Sequence, residues 1–258
     1  MNSAAAGLAL LLTLLPLGRS EATQRFLEEI VEQKHAVARD ATLSIRNVDG
    51  SVRVYGGNVP EITIRAAKKA YTVERLRGIV VDVKATRTNV TIDTIFPPRK
   101  STWSDRSGRV EYTIIVPETI KITSLNLVNG EVMLKDLRGG SATAHLVNGW
   151  LGGVNCFGDL NLSIVNGRLD VAYDWFEHHK FSAKASSVNG TLRAILPRHG
   201  AVALNAQTKT GRIVDTFGLD PGGVGDSGRV LETATGPQPE SSIEMKTTGG
   251  NIRIEKSY

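Results

Sequence analysis

Apolar side chains fall at every second position through much of this chain. Leu43 and Ile45 flank Ser44, and Val52 and Val54 flank Arg53. Ile62 and Ile64, Val90 and Ile92, and Val110, Tyr112, Ile114 and Val116 repeat the alternation. A period of two puts successive side chains on opposite faces, which predicts half-buried strands. Two segments break the pattern. Residues 24–37 place Phe26, Leu27, Ile30 and Val31 at helical spacing, so a short N-terminal helix or linker is expected over 23–40. Residues 67–77 read as a short helix or a loop. The Gly/Pro-rich segment 219–240 reads as a mobile loop.

The strands are punctuated by a repeat. An apolar residue, Asn, Gly, any residue and a second apolar residue recur at Val128–Val132, Val147–Leu151, Val165–Leu169 and Val188–Leu192. Their turn residues are Asn129 and Gly130, Asn148 and Gly149, Asn166 and Gly167, and Asn189 and Gly190. Asp49 and Gly50 form a weaker opening copy, and Gly211 and Gly250 mark two closing ones. From Gly130 to Gly211 the glycines are spaced 19, 18, 23 and 21 residues apart, and Gly250 follows 39 later, about two repeats with one blurred. Asn-Gly is a turn dipeptide because it tolerates positive φ. It suits hairpins of an antiparallel meander. The same residue type at every turn, in units of about 20 residues, suits stacked coils better, since stacking sets Val over Val inside and Asn over Asn at a corner. The expected fold is therefore all-β. A β-solenoid of Val-Asn-Gly coils over 119–258 would follow a less regular β region of longer strands over 41–118.

Composition narrows the class. Hydrophobic residues make up 41% of 258 residues, enough for a core. The single cysteine, Cys156, excludes an intrachain disulfide and a multi-cysteine metal centre. It sits in a strand-like run and reads as a small core or turn residue. Residues 4–17 are an apolar run too short to span a bilayer, followed by small residues around Ala22. They predict a signal peptide over 1–22 and an extracytoplasmic chain, periplasmic, secreted or at the cell surface. Arg65, Lys68, Lys69, Arg75 and Arg77, and then Arg99, Lys100, Arg106 and Arg109, form basic groups within a net charge of +5. Attraction to anionic polymers is one use of such groups. Nucleic acid is not expected without interleaved aromatics.

The order of these signals resembles a bacterial family of putative adhesins of unassigned function, to which LiaG-like proteins belong. The resemblance rests on Leu43 through Gly56, on Glu61–Arg65, and on Tyr112–Pro117. It continues through the Val-Asn-Gly copies and Leu196-Pro197 to Thr248–Ile254. It covers residues 41–258. It implies an exported β-solenoid domain without catalytic residues, cofactor or metal.

Candidate chemistry is sparse. Gly223–Gly228 fits a dinucleotide fingerprint in spelling, but no strand precedes it and no packing helix follows. Gly225–Gly228 with His145 and Asp170 or Asp174 imitates a serine-protease order. The repeat accounts for His145 more simply, as an outward position shared with Asn126, Ser163 and Ser186. The candidate binding patch is Tyr173, Trp175, Phe176, His178 and His179, with Asp174 and Glu177 between them. Rings beside acids suit sugar stacking, while adjacent histidines on a strand face opposite sides and rarely share a metal. The plainer alternative is an aromatic plug over an irregular coil. The expected function is a non-enzymatic, adhesin-like or envelope-scaffold binding module. Its partner would be an anionic envelope polymer, a surface polysaccharide or an envelope protein. A polysaccharide lyase or hydrolase using Asp159, Asp170, Asp174 or Glu177 is the rival. An accessory protein of envelope-stress sensing is a third reading.

Overall fold

The computed structural model describes residues 26–98, 107–177, 180–219, 224–225 and 228–257. The signal peptide expected over 1–22 lies outside them. The chain is all-β. Its first strands are β1 (Leu27–Ala36), β2 (Thr42–Gly57) and β3 (Glu61–Ala70). A single turn of helix, α1 (Val73–Gly78), leads into β4 (Val80–Ala85), β5 (Asn89–Ile95) and β6 (Arg109–Pro117). Four long strands follow: β7 (Lys121–Lys135), β8 (Arg138–Val154), β9 (Phe157–Ala172) and β10 (Ser182–Leu196). The last are β11 (Val202–Thr208), β12 (Ile213–Asp215), β13 (Val224–Gly225), β14 (Gly228–Ala234), β15 (Ser241–Gly249) and β16 (Ile252–Lys256).

All sixteen strands belong to one sheet, whose main path runs β1-β3-β6-β2-β7-β8-β9-β10-β15-β11-β14-β13. From β2 to β10 every neighbour along that path is parallel. The register keeps like over like. Ile45, Leu125, Ala144, Leu162, Ala185, Met245 and Ala206 form one buried row across successive strands. Val52, Val132, Leu151, Leu169, Leu192, Ile252 and Ile213 form another. These are the apolar positions of the period-two pattern, and they join one continuous core. Each Val, Leu, Ile or Met among them is worth roughly 1.5–3 kcal/mol on burial.

The N-terminal end is built differently. β5 and β6 lie parallel beside the two halves of β2. Antiparallel strands then cover them, β4 on β5, β3 on β6 and β1 on β3. The helix expected near residues 24–37 is thus a strand. Its apolar residues do not form a buried stripe, for Leu27 and Ile30 are exposed. Its charges match β3 across the sheet instead: Glu28 and Glu29 lie opposite Lys69 and Lys68, and Lys68 Nζ reaches Glu29 Oε1 at 2.8 Å. Covering β3 also gives its backbone a partner that an edge would lack. Residues 67–77 divide between the end of β3 and α1, whose N-cap Thr72 accepts from the Arg75 amide.

Two further expectations change at the C-terminal end. Residues 228–234, read as part of a mobile loop, form β14 and pair antiparallel with β11. Among the described residues, the 39-residue step from Gly211 to Gly250 shows β14 rather than a further repeat. β15 and β16, the last strands of the chain, lie directly on β10, and β11 and β12 stack outside them. The strand order in space therefore departs from the order in sequence.

Candidate binding site

The repeat turns form a column. Gly50, Gly130, Gly149, Gly167 and Gly190 are register partners in turn, and the backbone of Gly250 packs next on Gly190 and that of Gly211 on Gly250. In Gly130, Gly149 and Gly167 φ is between 132° and 133°, a region closed to other residues. Gly190, Gly211 and Gly250 lack that φ, yet a Cβ on any of them would overlap the carbonyl oxygen of the neighbouring glycine. Close approach of backbones is thus the demand common to the column, rather than the turn angle that the dipeptide suggests. The asparagines keep ordinary φ and do something else. Asn129 Nδ2 donates to Asp49 Oδ1 at 2.8 Å. Asn148 donates to Asn129 at 2.9 Å, Asn166 to Asn148 at 3.0 Å, and Asn189 to Asn166 at 3.2 Å. Asp49 suits the first place because its carboxylate only accepts.

A second turn column runs through Asp136, Asn155 and Asp174, with Gly56 packed on the Asp136 carbonyl at its start. Asp136 and Asn155 both take the left-handed conformation, with φ of 56° and 50°. Asn155 Nδ2 donates to Asp174 Oδ2 at 3.0 Å, and the Asp174 amide donates back to Asn155 Oδ1 at 2.9 Å. The signal was the 19-residue spacing of Asp136, Asn155 and Asp174.

The aromatic patch divides in two. Tyr173 is 1% exposed and its hydroxyl donates to the Cys156 carbonyl at 3.0 Å. Its ring lies 4.6 Å from Phe181 and 5.4 Å from Phe157, while Phe176 packs on Phe181 at 5.7 Å. Burial raises the Tyr173 hydroxyl well above its usual pKa. Tyr173 and Phe176 are therefore parts of the core plug. Trp175, at 43% exposure, stays outside with its ring 6.0 Å from Phe157. His178 and His179 lie outside the described residues. Beside the plug runs a groove of about 580 Å³, lined among others by Lys121, Arg138, Asp159, Glu177 and Lys180. Arg138 ties its walls together, with Nε to Glu177 Oε1 at 2.7 Å and Nη1 to Glu118 Oε2 at 2.9 Å.

A second groove, of about 720 Å³, lies along the start of the glycine column. Asp49, Gly50, Asn129 and Gly130 line it with Arg53 and Glu131. Its far wall is the stacked pair Phe26 and Tyr71, with ring centroids 4.2 Å apart, and the Arg109 guanidinium sits 4.6 Å from the Phe26 ring. Neither Phe26 nor Tyr71 stands out in the sequence, because the pairing of β1 with β3 brings them together.

The other sequence candidates are accounted for locally. Lys68 is buried against Glu29 and the Ile79 carbonyl, Lys69 reaches Glu111 at 2.8 Å, and Arg75 donates to the carbonyls of Ser107 and Pro97. Arg99, Lys100, Arg106 and Ser227 lie outside the described residues. His145 shares its register position with Asn126, Ser163 and Ser186, and its Nδ1 is 2.9 Å from Ser163 Oγ. Asp170 accepts from Trp150 Nε1 at 2.7 Å. Among the described residues no group of three His, Cys, Asp or Glu is placed to hold a metal, and no helix is long and apolar enough to cross a membrane.

No known family profile matches the chain, and no curated protein matches it. Among solved structures it is similar to a putative cell adhesion protein from Clostridium sporogenes. The identity is 15%, the match covers 89% of this chain and all of that one, and the TM-score is 0.52. A putative adhesin from Parabacteroides merdae matches over 89% of this chain and 97% of its own, at 9% identity and a TM-score of 0.31. At such identities the first likeness is one of fold alone, and the second is too distant in shape to add to it.

Proposed function

We propose that the chain is an exported, non-enzymatic, adhesin-like binding module, built as a β-solenoid whose faces present side-chain rows to an envelope polymer or protein. The observation that carries the reading is the parallel, in-register stack with the same residues at each turn. A straight strand of 15 residues spans roughly 50 Å. The links β7–β8 and β8–β9 are residues 136–137 and 155–156, and two linking residues reach about 11 Å at most. Parallel neighbours joined so tightly favour strands that bend at the glycine and Asp136/Asn155 columns, each closing one coil. A sheet that buries one apolar face and has, among the described residues, only α1 as helical cover also favours folding that face on itself. Small-angle scattering is expected to give a rod with a compact cross-section; the profile of a single flat layer would overturn the solenoid.

The absence of catalysis is part of the proposal. Three of the acids that a polysaccharide-active enzyme would need are held in structural bonds: Asp170 by Trp150 and Arg168, Asp174 by Asn155, and Glu177 by Arg138. The chain of a bacterial putative adhesin in Clostridium sporogenes shares the fold, which supports, by analogy, a role at the cell surface. The purified chain should co-sediment with bacterial envelope material and release no new reducing ends from anionic polysaccharides. Depolymerisation that Asp170→Ala abolishes would replace this reading with the enzymatic one.

A further inference from the structure

We propose that Trp150 is the aromatic platform of a binding track for a neutral linear glycan, running from the groove at Phe26 and Tyr71 along the outward face of β7 to β10. The inference rests on the binding-module reading and names the ligand class and the site.

Trp150 is an outward residue laid down on the sheet. A Cβ on Gly152 would lie 2.6 Å from Trp150 Cζ2 and 2.7 Å from Cη2, so the indole lies where a side chain at 152 would go. The ring is also fixed at its edge, where Nε1–H donates to Asp170 Oδ2 at 2.7 Å. Asp170 is only 8% exposed although it belongs to an outward row. Arg168 Nε meets the same oxygen at 3.0 Å, and its guanidinium carbon is 6.0 Å from the indole. The other carboxylate oxygen, Oδ1, is buried and accepts no hydrogen bond. Buried acceptors are rarely left so in folded proteins, which marks Asp170 as a group whose capacity the fold alone does not fill.

The platform does not stand alone. Glu131, Trp150 and Arg168 are register partners on adjacent strands, about 4.8 Å apart. Glu131 also lines the 720 Å³ groove and pairs with Arg53 at 3.1 Å. Groove and platform are thus continuous through one side chain. A fixed flat ring offers its face to the apolar side of a pyranose, and the carboxylates and guanidiniums beside it pair with hydroxyls. Arg53, Glu131, Arg168 and Asp170 alternate in sign along the track. That balance offers no field to draw a polyanion and favours an uncharged chain.

The test uses hexamers of β-linked glucose and of β-linked N-acetylglucosamine, read by tryptophan emission in the full chain carrying Trp103→Phe and Trp175→Phe. One or both hexamers are expected to shift or quench Trp150 emission. Trp150→Ala should weaken binding by about tenfold or more, the equivalent of 1.4 kcal/mol, measured by calorimetry. Gly152→Ala should weaken it too, with the ring still present but lifted off the sheet. Trp150→Phe should restore most of the affinity, and Trp175→Ala should leave it within about twofold. Far-UV circular dichroism and the urea midpoint establish that each variant is folded. A folded Trp150→Ala chain that binds as tightly as the parent overturns the platform. A parent chain that sediments with envelope material yet ignores both hexamers overturns the glycan assignment alone, and one that neither sediments nor binds either hexamer overturns the binding-module reading as well.

Discussion

At the scale of single residues, the glycines of the repeat are set by crowding. Gly149 combines a φ of 133° with a backbone neighbour where a Cβ would go, whereas Gly139 has a φ of 70° and open space around that point. Gly149→Ala is expected to destabilise the chain by more than about 4 kcal/mol, since overlap with backbone has no easy relief. Gly139→Ala should cost about 1–2 kcal/mol, the strain of the left-handed region alone. Urea denaturation of the two variants checks the order; equal losses would mean that φ and not contact sets the requirement. Cys156 is legible from sequence as a core residue, and the structure agrees: it is 3% exposed, and burial lifts its thiol to about 12. Ellman's reagent at pH 8 should leave the native thiol unreacted and label it fully in guanidinium. Rapid native labelling would contradict the burial.

At the scale of elements, the Val-Asn-Gly rows were readable because each turn repeats at a near-constant spacing and each core position repeats with it. The N-terminal strand was not, because its partners are charges on β3, some 40 residues away in sequence, and local spacing carries no trace of them. The placement of β15 and β16 was hidden for the same reason: sequence order says nothing about which strand docks on which. Groove positions were legible where they belong to the repeat, such as Asp49 and Asn129, and illegible where strand pairing assembles them, as at Phe26 and Tyr71. The docking order has a measurable consequence. Removing residues 241–258 takes away the only parallel neighbours that β11 and β12 have among the described residues. Amide exchange in 202–215 should then rise to that of an unfolded segment, while β8 and β9 keep their protection. Retained protection in β11 would show that it can dock on β10 directly.

At the scale of the whole molecule, stability rests on one continuous core and hydrogen-bonded turn columns, with no disulfide. Its pH dependence has a sign that burial fixes. Cys156 and Tyr112 are both raised to about 12 from ordinary values of 9.0 and 10.0, and Tyr173 is raised as well. In each case burial is the chief cause. Above pH 9 the unfolded chain releases these protons before the folded one does, so the unfolded state binds fewer protons and stability falls as pH rises. The contribution is fully present at neutral pH. The thermal midpoint should therefore be flat from pH 7 to about 8.5 and decline steeply between about pH 9 and 12; a midpoint that holds to pH 11 would contradict the buried hydroxyls and thiol. The strand order also bears on how the chain assembles in time. Segments 121–196 can add one after another, each landing on the edge its predecessor has just made. Residues 202–215 have their parallel neighbours in 241–256, which occupy the edge of β10. The native surroundings of the earlier segment are therefore complete only once the later one is in place.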